Sequence, residues 1–143
     1  MPHGPYSKPQ SPHGRGLEKF FGELELAVLE AVWVHQPVNV GKVLETLNET
    51  SERTWAYTTI MTIMSRLAEK GWLTAEKRGR AYSYTAVYSR KEAEATLAGE
   101  VVRSLLDDFG DVAVAQFVKE LDRIDPEQLT RLAELAEEGG KRD

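Results

Sequence analysis

Four residues between positions 58 and 65 are distinctive in what their side chains can do and in how they are spaced. Thr58, Met61, Thr62 and Ser65 fall at i, i+3, i+4 and i+7, so a helix gathers them on one face. Solvated helix faces usually carry Glu and Lys, whereas this one is small, hydroxylated and almost uncharged. Such a face suits a DNA major groove. Hydroxyls donate to or accept from base edges, apolar groups meet thymine methyls, and short side chains let the helix come close. Tyr57 and Arg66 flank the face and Arg53 precedes it, placed for the sugar–phosphate backbone. A second basic element follows at Lys77-Arg78-Gly79-Arg80, where Lys77, Arg78 and Arg80 would meet phosphates or a minor groove. A neutral exposed face and a solvated turn are the plain alternatives, and either feature alone carries little. Together they point to double-stranded DNA.

Other chemistries lack their residues. The 143-residue chain has no cysteine, which removes disulfides, zinc ribbons, thiol catalysis and thiolate copper sites. Of its three histidines, His3 and His13 lie in a Pro- and Gly-rich start and His35 falls at an expected helix end. Gly41-Lys42 lacks the spacing of a phosphate loop, and no nucleophile is paired with a base. No enzyme activity, cofactor or metal site is expected. The longest apolar runs are too short for a membrane span, and no signal-peptide pattern opens the chain, so a cytoplasmic protein is expected.

The elements that must position these residues follow from periodicity. Residues 1–16 hold four of the six prolines and two Pro-His-Gly triplets, and read as a disordered tail. Leu24, Ala27, Val28, Ala31 and Val32 predict a first helix over 23–34, stopped by Pro37. Asn39 caps a short second helix whose Val40, Val43, Leu44 and Leu47 face inward, and Asn48 to Arg53 form the connection. The third helix runs over 57–70 with Ile60, Ile63, Met64 and Leu67 buried, and Gly71 ends it. Two strands, 72–78 and 81–87, close around Gly79. Trp33, Trp55 and Trp72 read as core or edge packing. Three helices and a basic hairpin, in that order, make a winged helix-turn-helix over residues 17–88.

The remainder, 89–143, is purely helical. Ser89 and Glu92 form a capping box, Gly110-Asp111 breaks the run with Asp111 as the next cap, and Asp125-Pro126-Glu127-Gln128 opens a last helix. The net charge of −5 is divided unevenly. Residues 1–88 hold ten Lys and Arg against nine Glu, and 89–143 hold eight against fourteen Asp and Glu. A near-neutral front with a basic middle and an acidic end imply two jobs. The apolar rows of the second part are wider than a helix hairpin needs, and a second copy is the simplest cover. Leu97, Val101, Leu105, Phe117, Leu121, Leu129 and Leu132 are the expected dimerisation residues. The fold class is thus mainly α with a small β-wing: a winged helix-turn-helix domain plus a C-terminal helical dimerisation module.

Several strings resemble the penicillinase-repressor (BlaI/MecI/CopY) family, with a flavour similar to actinobacterial members. They are Gly22-Glu23-Leu24-Glu25 through Val32-Trp33, Ala56 through Leu67, Lys70-Gly71, the wing Arg78 through Tyr84, and Asp125 through Leu129. The resemblance covers about residues 20–138. It implies a dimeric winged-helix repressor that occludes a palindromic operator, often with a TACA/TGTA core, at β-lactam-response or related stress genes. It also implies a membrane sensor protease as partner. The peptide bond aligned with the proteolytic site of the staphylococcal relatives is Gln116-Phe117, where those relatives have Asn-Phe. Copper-sensing relatives use C-terminal cysteines, which this chain does not have. Ala56 stands where some relatives carry a capping serine. Two other readings fit a winged helix: a small-molecule-sensing regulator, which needs a polar-trimmed pocket, and a protein-interaction module without DNA binding, which predicts no steep salt dependence.

Overall fold

The computed structural model describes residues 14–141, with side chains described through residue 138. The expected tail at 1–16, with His3 and His13, lies almost wholly outside the described residues. The chain divides into two compact units, with the boundary between Val101 and Val102.

In the first unit the order is α1 (Glu23–His35), α2 (Val40–Thr50), α3 (Tyr57–Glu69), β1 (Leu73–Arg78), β2 (Ala81–Ala86) and the first half of α4 (Arg90–Phe109). Local groups set the starts of α1 and α2 and the end of α3. The Gly22 N–H donates to Glu25 Oε1 at 2.9 Å at the head of α1. Asn39 caps α2, its Oδ1 accepting from the Lys42 N–H at 2.8 Å. Gly71 ends α3 at φ +91°, a backbone conformation that costs glycine little. The Trp72 N–H then reaches back to the Leu67 carbonyl and the Gly71 N–H to Ala68, a Schellman closure. α2 continues through Thr50, so Asn48, expected in the connection, lies in its last turn.

The core of this unit is built from Val28, Leu29 and Val32 of α1, Val43 and Leu47 of α2, Ile60, Met64 and Leu67 of α3, and Leu73 and Tyr84 of the hairpin. Trp72 sits at its centre, edge-on to Phe21 at 4.9 Å and Tyr88 at 5.6 Å between ring centroids. The strands pair antiparallel from Leu73 opposite Ala86 to Arg78 opposite Ala81. Gly79, at φ +64°, makes the two-residue turn possible. An isolated antiparallel bridge on the far side of β2 joins Val38 to Tyr84, and the Gln36 side chain accepts from the Ala86 N–H at 2.8 Å. The wing is therefore tied at its base to the α1–α2 turn.

Three further features differ from the sequence expectations. A single 3-10 turn at Gly16–Lys19 precedes α1, and Leu17, Phe20 and Phe21 are buried. One turn has no periodicity to read, which hid it. Second, the first unit continues into α4 rather than ending at Tyr88. Ser89 and Glu92 form the expected capping box, with bonds of 3.0 and 3.1 Å. The Trp33 indole N–H donates to the Tyr88 carbonyl at 2.8 Å and Arg90 pairs with Glu30 at 3.2 Å, fixing the start of α4 on α1. Ala93 and Leu97 then enter the core, with Val101 packed against it. Leu97, only 1% exposed, is thus a core residue of the first unit and leaves the expected dimerisation set. Third, Asp111 is not a cap. Gly110, at φ +54°, holds that position without a side-chain bond, and Asp111 is the first residue of α5.

The second unit holds the rest of α4, α5 (Asp111–Leu121) and α6 (Pro126–Lys141). Asp125 caps α6, its Oδ1 accepting from the Gln128 N–H at 3.0 Å, and Pro126 takes the first helical position. Leu105, Phe117, Leu129 and Leu132 are exposed in the single chain, and Leu121 is half-buried.

Candidate nucleic-acid interface

The third helix is held by one side and free on the other. Ile60, Met64 and Leu67 are fully buried, at 0% exposure. Thr58, Met61, Thr62 and Ser65 are all exposed, as are Tyr57 and Arg66. A helix fixed by three large apolar anchors loses little further freedom when its outer face docks. The first turn of α3 carries no acidic residue, so nothing there repels a phosphate. Ala56 occupies the N-cap with an extended backbone (φ −82°, ψ 150°) and supplies no side-chain bond.

The turn before α3 is therefore held from elsewhere. The Asn48 carboxamide makes two bonds to one residue: its Oδ1 accepts from the Trp55 N–H at 2.8 Å and its Nδ2 donates to the Trp55 carbonyl at 3.3 Å. The Arg53 guanidinium lies over the Trp55 ring, 4.4 Å from the centroid. The Arg53 backbone N–H donates to Ser51 Oγ at 3.2 Å. The sequence places Asn48 in a connection and Trp55 in packing, and assigns neither to binding. The only sequence trace of their pairing is an asparagine seven residues before an aromatic, which is no recognisable pattern.

On the wing, Lys77, Arg78 and Arg80 are exposed. The pairing of Lys77 with Tyr82 puts them on the same sheet face as Leu73 and Tyr84, beyond the edge of the core. Arg78 is 3.8 Å from Glu76, with both side chains about two-thirds or more exposed (67% and 73%), a contact a phosphate would displace at little cost. Arg53, Arg66, Lys77 and Arg80 make no ion pair with any described residue. The helix face and the wing belong to one compact unit, joined through the closure at Gly71 and the buried Trp72 and Leu73.

The remaining expected sites are dispersed. Gln116 and Phe117 both lie inside α5, and Phe117 is 65% exposed. A shallow depression of about 260 Å³ is lined by Glu30, Trp33, Val34, Gln36, Ser89 and Arg90, but its Arg90 and Glu30 neutralise each other. No helix among the described residues is long and apolar enough to cross a membrane.

Comparisons with known proteins bear on the same residues. The family model described as "Penicillinase repressor" matches residues 21–138. The chain is 28% identical over 116 residues to the penicillinase repressor of Bacillus licheniformis, covering 81% of this chain and 88% of that protein. It is 34% identical over 124 residues to the transcriptional regulator BlaI of Mycobacterium tuberculosis, covering 85% and 88%. A solution structure of the DNA-binding domain of the repressor BlaI matches at 33% identity with a TM-score of 0.45, over 51% of this chain and 87% of that one.

Proposed function

The chain belongs to the penicillinase repressor family, and from that premise we propose that it is a homodimeric, DNA-binding transcriptional repressor acting in the cytoplasm. It covers a palindromic operator and so blocks transcription of β-lactam-response or related stress genes. It performs no catalysis and needs no cofactor. The observation that carries this reading is the outer face of α3: exposed, hydroxylated, uncharged, and flanked by Arg53 and Arg66, which make no ion pair with any described residue.

In this mechanism Thr58, Met61, Thr62 and Ser65 read base edges, while Tyr57, Arg66 and Arg53 hold the backbone beside them. Lys77, Arg78 and Arg80 add phosphate contacts from the wing. Leu105, Phe117, Leu129 and Leu132, exposed in the single chain, meet their counterparts on a second copy, with Val101 and Leu121 at the margin. Two linked reading heads bind far more tightly than one, so repression depends on this pairing. A sensor protease relieves it by cutting Gln116-Phe117. That bond lies within α5, so cleavage needs local opening of the helix.

Capture of genomic fragments by the purified protein at near-physiological salt, read by sequencing, tests the reading. The expected result is a sharp palindrome with half-sites a helical turn or a multiple apart, upstream of a small set of genes. No enrichment by a folded dimer would leave the protein-interaction reading in its place.

A further inference from the structure

We propose that Asn48 and Trp55 are positioning residues for DNA binding. The Asn48 carboxamide fixes the Trp55 backbone, and the Trp55 indole presents the Arg53 guanidinium as a preset phosphate contact. The inference rests on the DNA-binding reading and adds residues that need not touch the duplex.

The turn from α2 to α3 has little else to hold it. Ser51, Glu52, Arg53, Thr54 and Ala56 are exposed, and only Trp55 is partly buried. The usual local anchor, a side chain at the N-cap, is missing because Ala56 is there. Asn48 supplies it from the last turn of α2. Two bonds to the N–H and carbonyl of one residue fix orientation as well as position, and Trp55 directly precedes the cap. The carboxamide thus registers the start of α3 against α2.

The same residue carries the second step on its side chain. The Arg53 guanidinium carbon lies over the indole, 4.4 Å from the ring centroid, and the group makes no ion pair with any described residue that would occupy its N–H donors. No carboxylate among the described residues neutralises it. An arginine that grips a phosphate gives up rotamer freedom, and the indole takes part of that loss before DNA arrives. A structural role for Asn48 alone would not need an unneutralised cation at the end of the chain of contacts.

The test uses the full chain and a mixed-sequence duplex of roughly 30 bp, because phosphate contacts are independent of sequence. Binding is measured against salt for the wild type, Asn48→Ala, Arg53→Ala, the double variant, Trp55→Phe and Trp55→Leu, with urea unfolding of each. Each copy of the dimer loses one phosphate contact, so Arg53→Ala and Asn48→Ala should each weaken binding by roughly tenfold or more and lower the log–log salt slope by about two. The double variant should be no worse than Arg53→Ala. Trp55→Phe should keep the wild-type slope, and Trp55→Leu should lose the same increment with the Asn48 backbone bonds intact. The leucine variant therefore decides the question even where Asn48→Ala unfolds. Weaker binding at an unchanged slope, or full additivity of Asn48→Ala and Arg53→Ala, overturns the proposal. Wild-type behaviour of Arg53→Ala also overturns it, while leaving the DNA-binding reading in place. Absence of salt-dependent binding by the wild type removes that reading itself.

Discussion

At Thr62 the outer face of α3 can be tested with one side chain. Thr62 is exposed, and the helix beneath it is anchored by Ile60 and Met64, so a glutamate there costs the fold little. In the complex that carboxylate would face the acceptor-rich floor and phosphate walls of a groove. Thr62→Glu should weaken operator binding by about a hundredfold or more, with unfolding midpoint and dimer unchanged. Titration with the captured operator, paired with sedimentation, checks both halves. Binding at wild-type strength would put a different face of the helix, or a different helix, in the groove. This face was legible in the sequence because a 13-residue helix completes more than three turns, enough for two stripes of opposite character to separate. Arg53 was legible as a basic flank, but its partner was not. Trp55 read as packing because an aromatic in a short polar turn does not reveal whether its ring meets the core or a cation.

Among the elements, α4 has two different jobs along its length. Its first half carries Ala93 and Leu97 into the core of the winged-helix unit, and its second half exposes Val102, Leu105 and Leu106. Periodicity places all of these on neighbouring rows of one helix and does not say where along the rows the partner changes. That is why Leu97 reads as a dimerisation residue in the sequence and packs as a core residue in the structure. The consequence is measurable. Leu97→Ala should destabilise the winged-helix unit by about 2–4 kcal/mol through loss of buried contacts, leaving the folded chains paired. Leu105→Glu should do the opposite, dissociating the pair without lowering the stability of that unit. Urea unfolding and sedimentation of the two variants separate the effects, and dissociation by Leu97→Ala at full stability would return Leu97 to the interface. The wing was easier to read, since Tyr82, Tyr84 and Ala86 alternate with small residues. Its anchoring through Val38 and Gln36 was not, because a single rung contributed by a turn has no pattern of its own.

For the molecule as a whole, the division of charge and the division of packing do not fall at the same place. The composition changes near residue 88, where the acidic stretch begins, whereas the compact unit extends to Val101 because α4 completes its core. A fragment cut after Tyr88 loses the Ser89–Glu92 cap, the Arg90 pair with Glu30, and the cover that Ala93 and Leu97 give the core. A fragment cut after Val101 keeps all of them. The longer fragment should therefore fold cooperatively as a monomer, and the shorter one should unfold at distinctly lower urea. On the proposed reading, the monomer would keep one complete reading head and lose the second linked site. Its operator affinity should fall by roughly a hundredfold to ten-thousandfold, the range that linkage supplies without any new contact. Its salt slope should fall to about half, since half the phosphates are neutralised. Those two numbers report different things, the first the connection between copies and the second the contacts within each. If the fragment ending at Val101 instead sedimented as a dimer with an undiminished slope, the pairing surface would lie on the winged-helix unit. The exposed apolar faces of α5 and α6 would then need another partner.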